Sequence, residues 1–285
     1  MNSNLHNIII DNTGASNISK IELIQTLWSG YGQLNRVYLE QAHSDQTSVV
    51  IKLIQFPTNK DHPRGWNSNL SHLRKVKSYQ VEMNFYNIYN QGIKHAYIPK
   101  FIASGVIDSR QYLILEDLLT KDFAPKIKIS WREVQLCLKW LANFHAKYLI
   151  IEPKHLWPVG SYWHLATRPD ELAALDDLAL KKSAPLIDEM LNRAKYKTFV
   201  HGDAKLANFL FTNDEVAAVD FQYVGGGVGI KDVAYFLSSI YHEDELHNYE
   251  SQCLDYYFNE LTTITQNQEL VIEWRALYPY AWADF

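Results

Sequence analysis

The chain has 285 residues, of which 47% are hydrophobic, and a formal net charge of −5. This length predicts one large domain or two smaller ones, and the composition is typical of a globular protein with a hydrophobic core. Lysines and arginines are spread along the chain without a basic block, which argues against a nucleic-acid partner.

Three further features favour a cytoplasmic protein. The opening MNSNLHNIII lacks the charged start and the longer apolar stretch of a signal peptide. No uninterrupted apolar segment approaches the roughly 20 residues that span a bilayer, so no membrane partner is expected. Cys137 and Cys253 lie far apart without a CxxC pattern, and two buried thiols in a reducing compartment explain them most simply.

The first predicted elements are a helix, a glycine turn and two strands. Residues 18–27, ISKIELIQTL, space their apolar side chains like a short helix, with Ser16 or Asn17 as its cap. A turn with Gly30 and Gly32 follows. RVYLEQA and SVVIKLI are predicted strands, joined by the polar connection HSDQ.

A longer helix and two more strands complete the first part. Residues 57–69 are loop by composition, and residues 70–91 are predicted to be a helix that ends at Gly92. PKFIASGVI and QYLILEDL are predicted strands. The first part therefore predicts a small sheet with a long helix inserted between its strands.

From about Leu118 the pattern becomes mainly helical. Ser130 to Glu133 form a capping-box pattern, followed by apolar residues on one helical face. Helical patterns recur at 183–195, 230–241 and 245–262, and less clearly towards the C-terminus, with the short apolar runs TFVHGD, NFLFT and VAAVDF between them. The boundary at LEDLLTKD predicts two domains, residues 1–115 and 116–285.

The stretch TFVHGDAKLANFLF places four polar side chains within eight positions: His201, Asp203, Lys205 and Asn208. Twelve residues after Asn208, another apolar run ends in Asp220. Oxygen ligands of this kind suit Mg²⁺, which usually takes one or two carboxylates plus substrate phosphates. An Asp that is not held by metal can accept a proton from an attacking hydroxyl, and a Lys beside it can hold a phosphoryl oxygen.

These residues carry a family resemblance. HGDAKLAN, residues 201–208, resembles the catalytic loop H-R-D-x-K-x-x-N of the protein-kinase-like phosphotransferases. The Gly in place of Arg is similar to the aminoglycoside phosphotransferase and choline kinase branch. VDFQ resembles D-F-G, with Gln222 in place of Gly. The longer run HGDAKLANFLF…VAAVDFQYVGGGVGIKDVAYFL resembles the ecdysteroid-kinase-like group most closely.

The resemblance implies a two-lobed α+β protein-kinase-like fold, with a small antiparallel-sheet lobe, a larger mostly helical lobe and ATP in the cleft between them. Lys52, in VVIKLI, would hold the α and β phosphates, and Glu82 would orient it. LILEDL, which contains Glu116, would present backbone groups to adenine. Gly30 and Gly32 would let the turn close over phosphates.

The implied reaction moves the γ-phosphoryl group of ATP to a hydroxyl of a small molecule of the steroid, amino alcohol or amino sugar type. Asp203 would orient or deprotonate that hydroxyl, and Lys205 would neutralise charge on the phosphoryl group. Asn208 and Asp220 would hold Mg²⁺. The aromatic runs SYWHL (161–165) and YPYAWADF (278–285) are candidates to line an apolar or cation-binding pocket. A monomer or a homodimer is expected.

Other interpretations stay open for individual residues. HGD alone is as typical of an Asx-turn as of catalysis. Lys52 alone is more typical of a solvated lysine on a strand. Glu82 alone is more typical of a charge on a helix surface. The chain could also be a catalytically silent kinase-like module that binds nucleotide or a partner. The absence of the Arg of H-R-D and of A-P-E argues against a protein kinase. The kinase-like order of the motifs favours a small-molecule kinase.

Several neighbouring residues have structural interpretations. Asp232 opens an apolar helix and is predicted to be its N-terminal cap. Gly225 to Gly227 are interpreted as flexible backbone that lets a substrate approach. His201 is predicted to satisfy a buried carbonyl, and His145 is predicted to pack between helices, while Trp157 and Trp163 are typical of a core.

Overall fold

The computed structural model describes residues 3–27, 30–42, 46–56, 69–90 and 92–284, with only the backbone of residues 69–71. The chain forms two compact units. The first comprises Met1–Asn90 and Pro99–Ala124, and the second Gln91–Ile98 and Pro125–Phe285. The division into two domains at residues 1–115 and 116–285 stays a prediction. The predicted connection HSDQ and the predicted loop 57–69 lie almost wholly outside the described residues.

The described part of the first unit carries a five-stranded antiparallel sheet in the order β1-β2-β3-β5-β4. Its core contains Val37, Val49, Ile51 and Ile114, which are fully buried. Helix α1 packs on the sheet through Leu5 and Ile9. The elements are α1 (Ser3–Thr13), β1 (Asn17–Thr26), β2 (Gly32–Glu40), β3 (Ser48–Ile54), α2 (Asn69–Asn84) with a π-helical turn (Phe85–Tyr89), β4 (Phe101–Ile107), β5 (Arg110–Glu116) and a 3₁₀ turn (Leu118–Lys121).

The helix predicted over residues 18–27 is wrong, because this segment is strand β1. It pairs with β2 from Asn17 opposite Glu40 to Thr26 opposite Gln33. The pairing has two irregularities, between Ile18 and Lys20 and between Leu23 and Gln25. Each irregularity shifts the alternation of the side chains. The apolar residues therefore do not recur every second position, and their spacing resembles that of a helix.

The first helix, α1, is absent from the predicted elements. Leu5, Ile9 and Thr13 are its buried residues, and they recur at intervals of four. This is the period of a helix with one packed face. Polar residues separate these positions, so a search for long apolar runs does not detect the helix.

The second unit is mainly helical, as predicted. Helix α3 packs on α7 and lies next to β7 and β9. Its fully buried side chains include Trp140 and Phe144, whose rings both contact Phe221. Strands β7 and β10 pair antiparallel, as do β8 and β9. The remaining bounds are β6 (Ala124–Pro125), α3 (Trp131–Lys147), α4 (Pro169–Ala174), α5 (Leu178–Asn192), β7 (Thr198–Val200), β8 (Phe209–Phe211), β9 (Val216–Ala218), β10 (Gly225–Gly227), α6 (Ile230–Ile240), α7 (Glu243–Thr265) and α8 (Gln268–Ala283).

The two cysteines and the length of the helices bear on expectations from the sequence. Cys137 and Cys253 are buried free thiols, as predicted. Burial raises the pKa of the Cys253 thiol to about 12. Among the helices that the structure describes, none has the length and apolar character required to cross a membrane.

Helix α3 begins at the predicted capping box. The carboxylate of Glu133 accepts hydrogen bonds from the backbone N–H and the hydroxyl of Ser130, at 2.6 and 2.8 Å, and it pairs with Lys126. The Lys126 ammonium, followed by the Ser130 backbone, lowers the pKa of Glu133 to about 2. The charged form of Glu133 therefore stabilises the start of the helix.

We expect Glu133→Gln to lower the free energy of unfolding at pH 7 by about 0.3–1 kcal/mol, because Gln can keep the capping geometry but loses the negative charge that stabilises the first turn of a helix. The folded pKa of Glu133 lies below its ordinary value of 4.5, so the contribution is complete above pH 4.5 and is lost as the pH falls towards 2. Urea unfolding at pH 7, 4.5 and 3.5 measures it. A difference that stays constant over this range contradicts the assignment, and the exposed Glu215→Gln is the control.

Candidate active site

The segment between β7 and β8 brings three predicted residues together around one carboxylate. Asp203 is 5% exposed. The Lys205 ammonium lies 2.9 Å from Oδ2 and 3.3 Å from Oδ1 of Asp203. The Asn208 amide donates from Nδ2 to Oδ2 of Asp203 at 3.0 Å and to its backbone carbonyl at 2.8 Å. Oδ1 of Asn208 is therefore the atom with which this side chain could bind a cation.

A fourth residue at this carboxylate, Tyr235, was missed by the sequence interpretation. Its hydroxyl lies close enough to Asp203 and Tyr162 for both residues to act on its pKa. Burial, and then the negative charge of Asp203, raise the pKa of Tyr235, so the phenol keeps its proton at neutral pH. Tyr235 follows Asp232 by three positions on α6, which places both residues on the same side of the helix. That spacing is the signal that could have identified it.

Asp220 lies two residues after β9, the strand that pairs with β8. The backbone N–H of Val219 donates to the carbonyl of Asn208 at 3.0 Å, so the two predicted metal ligands stand on neighbouring chain segments. Asp220 has φ of +67°, in the left-handed region. The amide of Gln222 donates to its Oδ1 at 2.7 Å. A residue other than glycine in this conformation is strained, and such strain is concentrated at functional sites.

The donor set fits Mg²⁺ that is also held by phosphates. Asn208 and Asp220 supply an amide and a carboxylate oxygen, which are ligands that Mg²⁺ prefers. Within the described ranges, no group of three or more His, Cys, Asp or Glu residues could hold a metal ion alone. Mg²⁺ sites that act on phosphates have this incomplete protein ligand set.

The backbone before Asp203 is held by Asp232, and not by a turn of its own. Asp232 accepts from the N–H of His201 at 2.6 Å and from the N–H of Gly202 at 3.0 Å. The prediction that Asp232 caps α6 is wrong. Gly229 is the N-cap, and the Asp232 side chain points to a segment 30 residues earlier. Gly202 has φ of +76°, and a Cβ there would lie 2.3 Å from the Tyr223 carbonyl oxygen.

Two histidines support the same segment, as predicted. His145 is fully buried, with Nε2 3.1 Å from Asp232 and Nδ1 2.8 Å from the hydroxyl of Tyr257. His201 contacts the carbonyl oxygen of Val219 with Nε2 at 3.0 Å, and the N–H of Asp203 with Nδ1 at 3.3 Å. Because a carbonyl only accepts, Nε2 of His201 carries the hydrogen and Nδ1 is the acceptor.

Gly225 to Gly227 do not form flexible backbone. They are strand β10, and Gly225 and Gly226 are buried. A Cβ at Gly225 would lie 2.1 Å from the carbonyl oxygen of Trp157. The indole N–H of Trp157 donates to the carbonyl of Gln222 at 2.8 Å. Glycine is needed here for the close approach of two backbones, and this correction removes the segment from the substrate contacts.

In the first unit, Lys52 and Glu82 form a buried ion pair. Lys52 Nζ lies 2.6 Å from Glu82 Oε2, and the two residues are 7% and 3% exposed. Neither the solvated-strand nor the helix-surface interpretation fits this burial. Burying two charges is costly unless they are paired in good geometry. Their roles in nucleotide binding remain predictions.

Glu116 and the two glycines belong to the same unit. Glu116 lies 2.7 Å from Lys121 Nζ, and its Oε2 accepts from the N–H of Lys100 at 3.2 Å. Gly30 has φ of +74° and open space around it. Gly32 has φ of +133°, and a Cβ there would lie 1.9 Å from the carbonyl oxygen of Leu53. The pairing of β2 with β3 therefore requires glycine at position 32, whatever its role towards phosphates.

The aromatic runs proposed as pocket walls do share a cavity in the second unit. Its volume is about 280 Å³. SYWHL contributes Trp163 and Leu165, and YPYAWADF contributes Ala283 and Asp284. Phe285 lies outside the described residues.

The fold is similar to that of solved small-molecule kinases. Choline kinase from Cryptosporidium parvum matches with a TM-score of 0.55 and 15% identity, over 98% of this chain and 87% of its own. Aminoglycoside phosphotransferase APH(3'')-Id from Streptomyces rimosus, in complex with ADP and streptomycin, matches at 0.52 and 11%, over 98% of both chains. Amicoumacin kinase hAmiN, in complex with AMP-PNP, Ca²⁺ and Ami, matches at 0.53 and 15%, over 99% and 85%.

These similarities confirm the predicted α+β protein-kinase-like fold, with an antiparallel sheet in one part and mostly helices in the other. No curated protein matches the sequence. The model of the ecdysteroid kinase-like family matches residues 31–155 and 161–269, which is most of the chain. Asp203, Lys205, Asn208 and Asp220 lie inside the matched ranges. Because this match covers more than half of the chain, the chain belongs to the ecdysteroid kinase-like family.

Proposed function

We propose that the protein is an ATP- and Mg²⁺-dependent phosphotransferase that moves the γ-phosphoryl group to a hydroxyl of a small molecule. One observation carries the proposal: a buried carboxylate, Asp203, is contacted by Lys205 and Asn208. This arrangement supplies a proton acceptor, a cation and a metal ligand within one short segment. Solved relatives of the fold include kinases with ADP or AMP-PNP bound, which favours a nucleotide as the phosphoryl donor.

Asp203 is the proposed base. The acceptor hydroxyl oxygen forms a bond to the γ-phosphorus, and the bond from that phosphorus to the β,γ-bridging oxygen breaks. ADP leaves with the electron pair, and the hydroxyl proton passes to Asp203. Tyr235 keeps its proton next to the carboxylate, because burial and the charge of Asp203 raise its pKa, so it does not compete for the proton of the acceptor. Lys205 places positive charge next to the reacting oxygen atoms.

The other predicted residues bind and orient the nucleotide. Asn208 and Asp220 would hold Mg²⁺, which neutralises charge on the phosphates when it is bound. Lys52 would hold the α and β phosphates, and Glu82 fixes its ammonium through the buried pair. Glu116 and the turn with Gly30 and Gly32 are proposed to contact adenine and phosphate through backbone groups.

A catalytically silent kinase-like module is the second candidate. Loss of the base or of a metal ligand would favour it, but Asp203, Asn208 and Asp220 are all present.

Nucleotide binding is tested by thermal unfolding with ATP alone, Mg²⁺ alone and both. We expect a larger stabilisation with both ligands than with either alone, about 2.7 kcal/mol at a hundred times Kd. Asp220→Asn should remove most of the Mg²⁺-dependent part, because one proposed ligand loses its charge. The exposed Asp176→Asn is the matched control. An absence of any shift at millimolar Mg·ATP would contradict the proposal.

The assignment of the base is tested with Asp203→Asn, which keeps the shape of the side chain. ADP release in the presence of a panel of hydroxylated acceptors should fall by about 10²–10⁴-fold, the usual contribution of general base catalysis. Stabilisation by Mg·ATP should survive. If the variant turns over at the normal rate, Asp203 is not the base.

Asp232 is proposed to position the loop that carries Asp203, because it contacts the backbone before Asp203 and none of the reacting atoms. Asp232→Ala leaves two buried N–H groups and His145 without their acceptor, and each loss costs about 1–3 kcal/mol. We expect reduced stability in urea and faster amide exchange at His201 and Gly202. If exchange at these two amides is unchanged, Asp232 does not hold the loop. Asp176→Ala serves as the exposed control.

A further inference from the structure

The glycine turn that precedes β2 carries a buried aromatic residue. Tyr31 stands between Gly30 and Gly32, which have φ of +74° and +133°, and it is only 7% exposed. Turns usually lie at the surface and are dominated by small or polar residues. A tyrosine that packs inward from such a turn therefore has a structural or a functional reason.

Both the backbone and the side chain of Tyr31 are fixed. Its carbonyl accepts a hydrogen bond from the N–H of Gln55, just after β3, at 2.9 Å. Its hydroxyl lies 2.7 Å from Nδ1 of His72 on α2. Burial raises the pKa of Tyr31, so the phenol keeps its proton and remains a hydrogen-bond donor. The turn is thereby joined to the end of β3 and to α2.

The ring of Tyr31 packs in a small aromatic cluster. Its centre lies 6.1 Å from the ring centre of Phe56, 5.8 Å from that of His72 and 6.4 Å from that of Tyr79. Ile54 of β3 belongs to the same buried cluster. Aromatic pairs at these distances add to the stabilisation that burial alone provides. The ring is therefore held by side chains from α2 and from the end of β3.

Tyr79 connects this cluster to Lys52. The ammonium of Lys52 lies over the ring of Tyr79, 5.5 Å from its centre. Glu82, which pairs with Lys52 at 2.6 Å, follows Tyr79 by three positions on α2, and His72 precedes Tyr79 by seven. These intervals place the three side chains on one face of the helix. The same face of α2 thus contacts both the glycine turn and Lys52.

We infer that Tyr31 is a positioning residue for the phosphates of the nucleotide. It fixes the glycine turn on the face of α2 that also fixes Lys52, so the two proposed phosphate contacts keep a constant spacing. A turn that is ordered before the ligand arrives lowers the entropic cost of binding. The inference rests on the proposed phosphotransferase function, in which the turn and Lys52 bind phosphate.

The inference is tested with Tyr31→Phe, which removes the hydroxyl and keeps the ring. The apparent Kd rises as the fraction of molecules with the turn in place falls. We expect the Kd for Mg·ATP, from titration calorimetry on the folded protein, to rise about threefold to tenfold, as for the loss of one neutral hydrogen bond. Tyr38→Phe is the matched control, because it removes a hydroxyl of β2 that donates to Glu22 at 2.8 Å, and it should leave this Kd unchanged.

Variants of His72 give an independent comparison. His72→Ala removes the partner of the hydroxyl and should raise the Kd for Mg·ATP to the same extent as Tyr31→Phe. His72→Asn keeps a polar atom near the position of Nδ1 and should retain most of the affinity. The double variant Tyr31→Phe/His72→Ala should bind no more weakly than either single variant, because both changes remove the same bond. A purely structural role would lower the free energy of unfolding in urea and leave the Kd unchanged.

Two results overturn the inference: an unchanged Kd for Mg·ATP in Tyr31→Phe, and a double variant whose loss is the product of the two single losses. Amide exchange at Gln55, whose N–H donates to Tyr31, is measured without nucleotide and should be faster in Tyr31→Phe. If the unaltered protein does not bind Mg·ATP, the proposed function fails, and this exchange still decides whether Tyr31 holds the turn. If all variants bind Mg·ATP equally well, only the role of Tyr31 fails.

Discussion

The carboxylate of Asp232 is the interaction on which the second unit depends. It is 2% exposed, and a buried carboxylate is stable only if donors surround it. The donors are the N–H groups of His201 and Gly202 and the ring of His145, which in turn contacts Tyr257. One side chain of α6 thereby joins α3 and α7 to the backbone that precedes Asp203. The backbone that precedes the proposed base is thus fixed by the helical core, in addition to the contacts that Lys205 and Asn208 make with Asp203 itself.

Close backbone contacts impose the second constraint around this carboxylate. Gly160 donates from its N–H to the carbonyl of Gly226 at 2.8 Å, and a Cβ at Gly160 would lie 2.7 Å from the N of Gly225. Two residues further on, Tyr162 contacts the carbonyl of Gly202. Side chains larger than hydrogen at these glycines would separate the chain segments. The segment 160–163 is therefore fixed on one side by β10 and on the other by the loop before Asp203.

Local sequence patterns predicted the features of the fold and of the site that depend on residues close together in the chain. The spacing of Asp203, Lys205 and Asn208 identified three groups that do meet at one carboxylate, and the helical periods of the second unit gave its helices. Strand β1 was missed because two irregularities in its pairing disturb the alternation of side chains. Asp232 was misassigned because the rule for a cap considers only its own helix, while its partners are 30 residues away. The ion pair of Lys52 and Glu82 was predicted through the family resemblance alone, because no local pattern joins two residues that are 30 positions apart.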